Sequence, residues 1–223
     1  MERDERPNRL ILLPGLGADA RQFTPQREVV AHLEVPRWIE PTDGEPLSHY
    51  AKRMADTLDV STPFFLGGAS FGGMVALEMA RHVRPEAILL IGSCRSVVAI
   101  PSSLRGIARL GARLPHLSML FFKWMAPIIV RDLRQMTPPH KRLFLDMLAA
   151  VKPDFFRWAL QAIASWGSET PPAVAIHQIH GQLDRVLPLD PTQADVIIVA
   201  DAGHLINLTH IRQVNAFIQE ILW

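Results

Sequence analysis

The stretch Phe64-Phe65-Leu66-Gly67-Gly68-Ala69-Ser70-Phe71-Gly72-Gly73 constrains this chain more than any other. An apolar run breaks at a serine flanked by glycines and resumes as Met74-Val75-Ala76-Leu77-Glu78-Met79-Ala80, which reads as a buried strand turning sharply into a helix. Gly68-Ala69-Ser70-Phe71-Gly72 fits the GxSxG spacing, in which a serine sits on a strained strand-to-helix turn. A side chain at position 68 or 72 would collide with the neighbouring strand and helix, so glycine is required there. The turn pushes Ser70 out at the carboxyl end of a sheet. Beneath it, a helix N-terminus offers unpaired N–H groups and partial positive charge to a developing anion. Glycine-rich turns of this kind are common in α/β proteins, so the weight of the reading rests on the rest of the chain.

The surrounding pattern is strand alternating with helix. Leu10-Ile11-Leu12-Leu13 is an apolar run without alternation, as expected of a parallel strand covered on both faces. The loop Pro14-Gly15-Leu16-Gly17-Ala18-Asp19 follows, then helical spacing over Phe23 to Leu33, a short second strand over Val35 to Ile39, and a helix over Leu47 to Leu58. Ala87 to Gly92 reads as the strand after the serine helix. Val174 to His180 and Val196 to Val199 resume the strands, and Ile206 to Trp223 closes with an amphipathic helix. Between Arg95 and about Pro172 the pattern is helical and broken by prolines. The reading is therefore an α/β core over residues 1–94 and 173–223, with a helical insertion over 95–172.

At 223 residues the chain suits one such domain. With 20% charged residues and a formal net charge of +1, neither disorder nor bulk nucleic-acid binding is indicated. The single cysteine, Cys94, excludes an intrachain disulfide and a multi-cysteine zinc site, and reads as a small buried apolar residue at a strand end. The N-terminus is charged and its first apolar run is too short for a signal peptide. The longest greasy stretch, Leu117 to Val130, is interrupted by Lys123 and Pro127 and is too short to span a membrane. These features point to a cytoplasmic protein without a membrane partner.

A nucleophilic Ser70 needs a base, and the base needs an acid to orient it. Of nine histidines, only His204 and His210 lie beyond the last strand. His204, in the small-residue loop Asp201-Ala202-Gly203-His204, falls where a strand's carboxyl end would bring it beside Ser70. His210 falls inside the closing helix and reads as a surface residue. In His180-Gly181-Gln182-Leu183-Asp184-Arg185-Val186-Leu187-Pro188, Asp184 stands just past a strand end, with Asp190 as the fallback acid.

On these three motifs, Gly68 to Gly72, His180 to Pro188 and Gly203-His204, the chain resembles the serine hydrolases of the α/β-hydrolase fold over nearly its whole length. The resemblance implies the chain order serine, acid, histidine, an oxyanion hole made by the backbone N–H groups of Leu16 and Phe71, and chemistry that needs no metal or organic cofactor. It also implies cleavage of a small-molecule ester or thioester through an acyl-enzyme. Carbon–carbon bond hydrolysis, a lyase reaction on the same residues, or a ligand-binding protein without turnover are the alternatives. The chain departs from the family at Pro14-Gly15, where His-Gly is usual. It also begins at the oxyanion strand, so a mostly parallel sheet of about six strands is expected instead of eight.

Two further features bear on function. Gly15-Leu16-Gly17-Ala18-Asp19-Ala20 satisfies GxGxxA, with Glu40 positioned to hold a ribose hydroxyl, but a dinucleotide-binding reading leaves Ser70, Asp184 and His204 unexplained. Between Arg95 and Arg157 the insertion carries eleven Lys or Arg against three Asp. Arg105, Arg109 and Arg113 recur every four residues and form one stripe. Leu104, Ile107, Leu110 and Leu114 form the opposite face, expected to cover the pocket with some of Phe121, Phe122, Trp124, Phe155, Phe156, Trp158 and Trp166. A stripe of one sign either solvates the insertion or steers an anionic substrate such as an acyl-CoA or an acyl carrier protein.

Overall fold

The computed structural model describes residues 9–113, 130–167, 172–190, 193 and 195–223. Six strands, β1 (Leu10–Leu13), β2 (Leu33–Glu34), β3 (Phe65–Ala69), β4 (Ile88–Ile91), β5 (Ile176–Gly181) and β6 (Val196–Val199), form one sheet in the order β2-β1-β3-β4-β5-β6. Every pairing is parallel. The main helices are α1 (Leu47–Ala55), α2 (Phe71–Met79), α3 (Ser102–Arg113), α4 (Pro138–Ala149), α5 (Pro153–Ser165) and α6 (Ile211–Leu222).

The inner strands β1, β3 and β4 carry no charged or polar side chain because each of their two faces meets a helical layer. Ile11, Leu13, Leu66, Ile88 and Leu90 pack on one face with α1, α2 and α5. Leu10, Leu12, Leu89 and Ile91 pack on the other with Phe23 and with Val214, Phe217 and Ile218 of α6. Burying each such side chain is worth roughly 1.5–3 kcal/mol, which places the fully buried runs Leu10–Leu13 and Ile88–Ile91 inside the sheet, whereas the edge strand Val196–Val199 leaves Ile197 and Ile198 exposed. In this topology β1 lies between β2 and β3. A dinucleotide fold would place β1 between β2 and β4, and Glu40 is ion-paired with Lys152, which disposes of that reading.

Three local expectations are corrected. The second strand is Leu33–Glu34, not Val35 to Ile39: Pro36 has no N–H to give a ladder, and residues 35–40 run irregularly to α1. Helical spacing over Phe23 to Leu33 is realised only as a 3-10 turn, Ala20–Phe23, and one α turn, Thr24–Arg27. The closing helix is broken at His210, whose backbone angles (φ −122°, ψ 53°) separate Ile206–Thr209 from α6. His210 is buried, with Nε2 at 3.2 Å from Asp201 Oδ1, and is not a surface residue.

Between β4 and β5 the described residues are helical: α3, residues 130–135, α4 and α5. On α3 the buried positions are Leu104, Ala108 and Gly111, while Leu110 is exposed, so the inward face is turned from the expected 104/107/110 phase. Small residues at 108 and 111 let α3 pack against α5, whose Ala159 and Ala162 are also buried. Leu114, Phe121, Phe122 and Trp124 lie outside the described residues. Among the described residues no helix is long and apolar enough to cross a membrane.

Candidate active site

The parallel sheet brings four loops to one edge. Ser70 follows the last residue of β3, Asp184 lies just beyond β5, His204 lies beyond β6, and Gly15 and Leu16 follow β1. Ser70 is the only non-glycine residue with positive φ among the described residues (φ 50°, ψ −120°). Such a backbone costs about 1–3 kcal/mol and persists because its surroundings enforce it. A Cβ on Gly68 would lie 2.4 Å from the Gly72 carbonyl carbon, and one on Gly72 would lie 2.1 Å from Leu13 O. From the loop just beyond β4, Ser93 Oγ donates to Ser70 O at 2.7 Å and fastens the turn.

Ser70 Oγ lies 2.8 Å from His204 Nε2, and His204 Nδ1 lies 2.8 Å from Asp184 Oδ2. The carboxylate accepts only, so Nδ1 carries the proton and Nε2 presents its lone pair to the Ser70 hydroxyl. Asp184 is almost fully buried. Its Oδ1 accepts the N–H groups of Val186 and Leu187 at 2.8 and 3.0 Å, which explains why the acid sits in a tight turn closed by Val186-Leu187-Pro188. Asp190 is not the acid facing His204; its Oδ2 accepts from Gln193 Nε2 at 3.3 Å.

The electrostatics follow from these contacts. Burial pushes the Asp184 carboxyl up, but the His204 charge and the hydrogen bonds from His180 and His204 outweigh it and hold the group well below the usual carboxylate range. Burial pushes His204 down, yet Asp184, by charge and hydrogen bond, and Asp132, by charge, raise it above its ordinary value. His180 supports the acid from behind. Its Nε2 donates to Leu187 O at 2.8 Å and approaches Asp184 Oδ2 at 3.3 Å, while Nδ1 accepts from Gln178 Nε2 at 3.3 Å. The histidine that opens the His180 to Pro188 motif therefore positions the turn.

Leu16 and Phe71 both border the pocket at Ser70. Pro14 has no N–H, and the Gly15 N–H donates to Gln22 Oε1 at 2.7 Å, so in this loop the next backbone donor is that of Leu16. Gly15 abuts the serine: a Cβ there would lie 3.6 Å from Ser70 Cβ. Gln22 belongs to a buried amide network with Asn207 (Nε2 to Oδ1 3.3 Å; Asn207 Nδ2 to Gln22 O 2.9 Å), and this joins the loop after β1 to the turn after His204. Neither amide was marked by any local motif. The Phe71 ring lies 5.8 Å from Trp38 and 6.0 Å from Trp158, so α5 braces the residue after the serine.

The pocket above Ser70 is mostly apolar. Leu104 of α3, Phe144 and Leu148 of α4, and Phe156 and Ile163 of α5 face Met74, Val186 and Leu187 of the core. Of the aromatic residues expected over the pocket, Phe156 reaches it. Phe155 and Trp158 stack with Trp38 and Tyr50 instead, and Trp166 donates to Glu78 at 2.9 Å. Arg105 is half-buried; Arg109 is exposed and its Nη2 reaches Ala164 O at 3.4 Å; the side chain of Arg113 lies outside the described set. Cys94 is buried, and burial pushes its thiol up to about 12. Among the described residues no group of three His, Cys, Asp or Glu side chains is placed to hold a metal ion.

A six-stranded parallel sheet carrying a serine on a strained strand-to-helix turn, within hydrogen-bond reach of a histidine after the last strand, defines an α/β-hydrolase fold. The chain belongs to the alpha/beta hydrolase family, whose model matches residues 10–217. It is similar in structure to MenH from Staphylococcus aureus (TM-score 0.74, 15% identity, covering 100% of this chain and 96% of that one). It is also similar to a thermophilic esterase from Thermogutta terrifontis (0.69, 18%, 96% and 89%) and to YbtT, a type II thioesterase of the yersiniabactin pathway (0.58, 16%, 100% and 94%). No curated protein sequence matches this chain significantly.

Proposed function

We propose that this hydrolase cleaves a carboxylic ester or thioester through an acyl-enzyme. His204 removes the proton from Ser70 as Oγ attacks the carbonyl carbon, then delivers it to the leaving oxygen or sulfur. Asp184 fixes the imidazole and stabilises its charged form, and the N–H groups of Leu16 and Phe71 receive the oxyanion. Water, activated by the same histidine, releases the acid. The observation that carries this reading is the hydrogen-bonded chain Ser70–His204–Asp184, with both contacts at 2.8 Å. The helical insertion over 95–172 serves as the cap, and its apolar lining favours an apolar acyl group.

The test is turnover of a panel of p-nitrophenyl esters, acyl-CoAs and acyl carrier protein esters by wild type and Ser70→Ala. A fall of several orders of magnitude in the variant supports the reading, and full activity in a folded variant ends it. A carrier-bound acyl group is the substrate class favoured by the basic character of the cap, together with the exposed Arg109 on α3.

A further inference from the structure

One buried acid at this site takes no part in the proposed chemistry. Asp132, in the helical residues 130–135 between β4 and β5, is only 1% exposed and borders the pocket that holds Ser70 and His204. Its carboxylate lies on both neighbours of His204. Oδ2 accepts the Leu205 N–H at 2.9 Å. Oδ1 rests so closely on Gly203 that a Cβ there would come within 1.9 Å of it, so a side chain before His204 would displace the carboxylate. Among the described residues Oδ1 has no hydrogen-bond partner.

A buried carboxylate oxygen without a hydrogen-bond partner is costly, and such groups persist where they serve function. Here positive charge on a neighbour offsets part of the cost. The ionisable groups acting on Asp132 among the described residues are His204, which favours its charge, and Asp184, which opposes it. Arg131, next in the chain, acts on Asp201, which also pairs with His210. The same helical stretch makes a second attachment to this loop, from Gln135 Nε2 to Asp201 O at 2.9 Å. Met136, Phe144 and Met147 then pack with Leu208 just beyond it.

We propose that Asp132 is a positioning residue by which the cap, when seated, clamps the loop of the catalytic histidine, holding His204 toward Ser70 and favouring the imidazolium that forms during the reaction. The clamp makes the site complete only with the cap in place. Burial raises the Asp132 carboxyl above its ordinary value, against the opposing pull of the Leu205 N–H, the His204 charge and the His204 backbone N–H; Asp132 in turn raises His204, so an ionised Asp132 and a protonated His204 stabilise each other. The kinetic part of this inference rests on the hydrolase reading; the titration part does not.

The experiment compares wild type, Asp132→Asn and Asp132→Ala by NMR titration of the His204 imidazole and by kcat and KM across pH. Asparagine keeps an acceptor for Leu205 and removes the charge. The His204 midpoint should fall by about half a pH unit or more in Asp132→Asn, with the acid limb of activity moving down by the same amount. Asp132→Ala, which also frees the loop, should lower kcat by about 10- to 100-fold with KM little changed. An unmoved His204 midpoint in Asp132→Asn, or wild-type kcat in Asp132→Ala, overturns the clamp. If wild type turns over no ester while the midpoint still shifts, the hydrolase reading fails and the clamp stands. If wild type is active and neither variant differs from it, the reverse holds.

Discussion

Gln22 holds the Gly15 N–H through its side-chain oxygen at 2.7 Å while its own amide nitrogen reaches Asn207 Oδ1 at 3.3 Å. The loop after the first strand and the turn after His204 are thus fixed to each other, and so is the distance between the proposed oxyanion donor and the proposed base. Gln22→Ala leaves the Gly15 N–H and Asn207 Oδ1 unsatisfied in a buried setting. Its expected cost is about 1–3 kcal/mol of stability and roughly 10- to 100-fold in kcat, with KM little changed, measured by denaturant unfolding and steady-state kinetics.

The two candidate acids are separated by their contacts. Asp184 touches His204 and accepts two backbone N–H groups, whereas Asp190 accepts from Gln193. Asp184→Asn should lower kcat by roughly 10³- to 10⁴-fold, since an amide donor there favours the wrong imidazole tautomer. Asp190→Asn should leave activity within about threefold of wild type. The reverse order would move the acid to Asp190.

His204 must be neutral to accept the Ser70 proton, and its pKa is raised. Activity should therefore fall as pH drops, with a midpoint above the ordinary histidine value of about 6.5. The stability terms run as linkage requires. The raised His204 contributes stability that is complete below its unfolded pKa and lost as pH rises through the folded value. The depressed Asp184 contributes stability that is complete above its unfolded pKa and lost as pH falls through its folded value. Asp184→Asn should accordingly flatten the loss of stability in acid, read from thermal unfolding between neutral and strongly acidic pH.

The arginines of α3 distinguish a steering cap from a solvated one. Arg105→Glu with Arg109→Glu should raise KM for an acyl-CoA or carrier-bound substrate and abolish the salt dependence expected of wild type, while a neutral short ester is cleaved equally by both. Equal responses of charged and neutral substrates would reduce the stripe to a solvated face.

What was legible in the sequence was what local pattern encodes. Ser70 stands directly after a strand, and Asp184 and His204 each a few residues past one, and a parallel sheet necessarily gathers such positions at one edge. Gln22 and Asn207 were not legible, because their pairing spans 185 positions and no motif marks a buried amide. Asp132 was hidden differently: in a basic segment it counts as one stray negative charge until the fold sets it against Gly203 and Leu205. On α3 the apolar residues at 104, 107 and 110 define one helical phase, and the close approach permitted by Ala108 and Gly111 selected another. His210 read as exposed because the break that turns it inward is a backbone event with no glycine or proline to announce it.

The central claim is that Ser70 is an activated nucleophile, and the most direct measurement is covalent labelling. A fluorophosphonate should modify wild type once, at Ser70, as located by peptide mass spectrometry, and should fail to modify folded Ser70→Ala; His204→Ala should label far more slowly. Absence of labelling in a folded wild-type protein that accepts the probe's small apolar analogues, or labelling that survives in Ser70→Ala, would contradict the account.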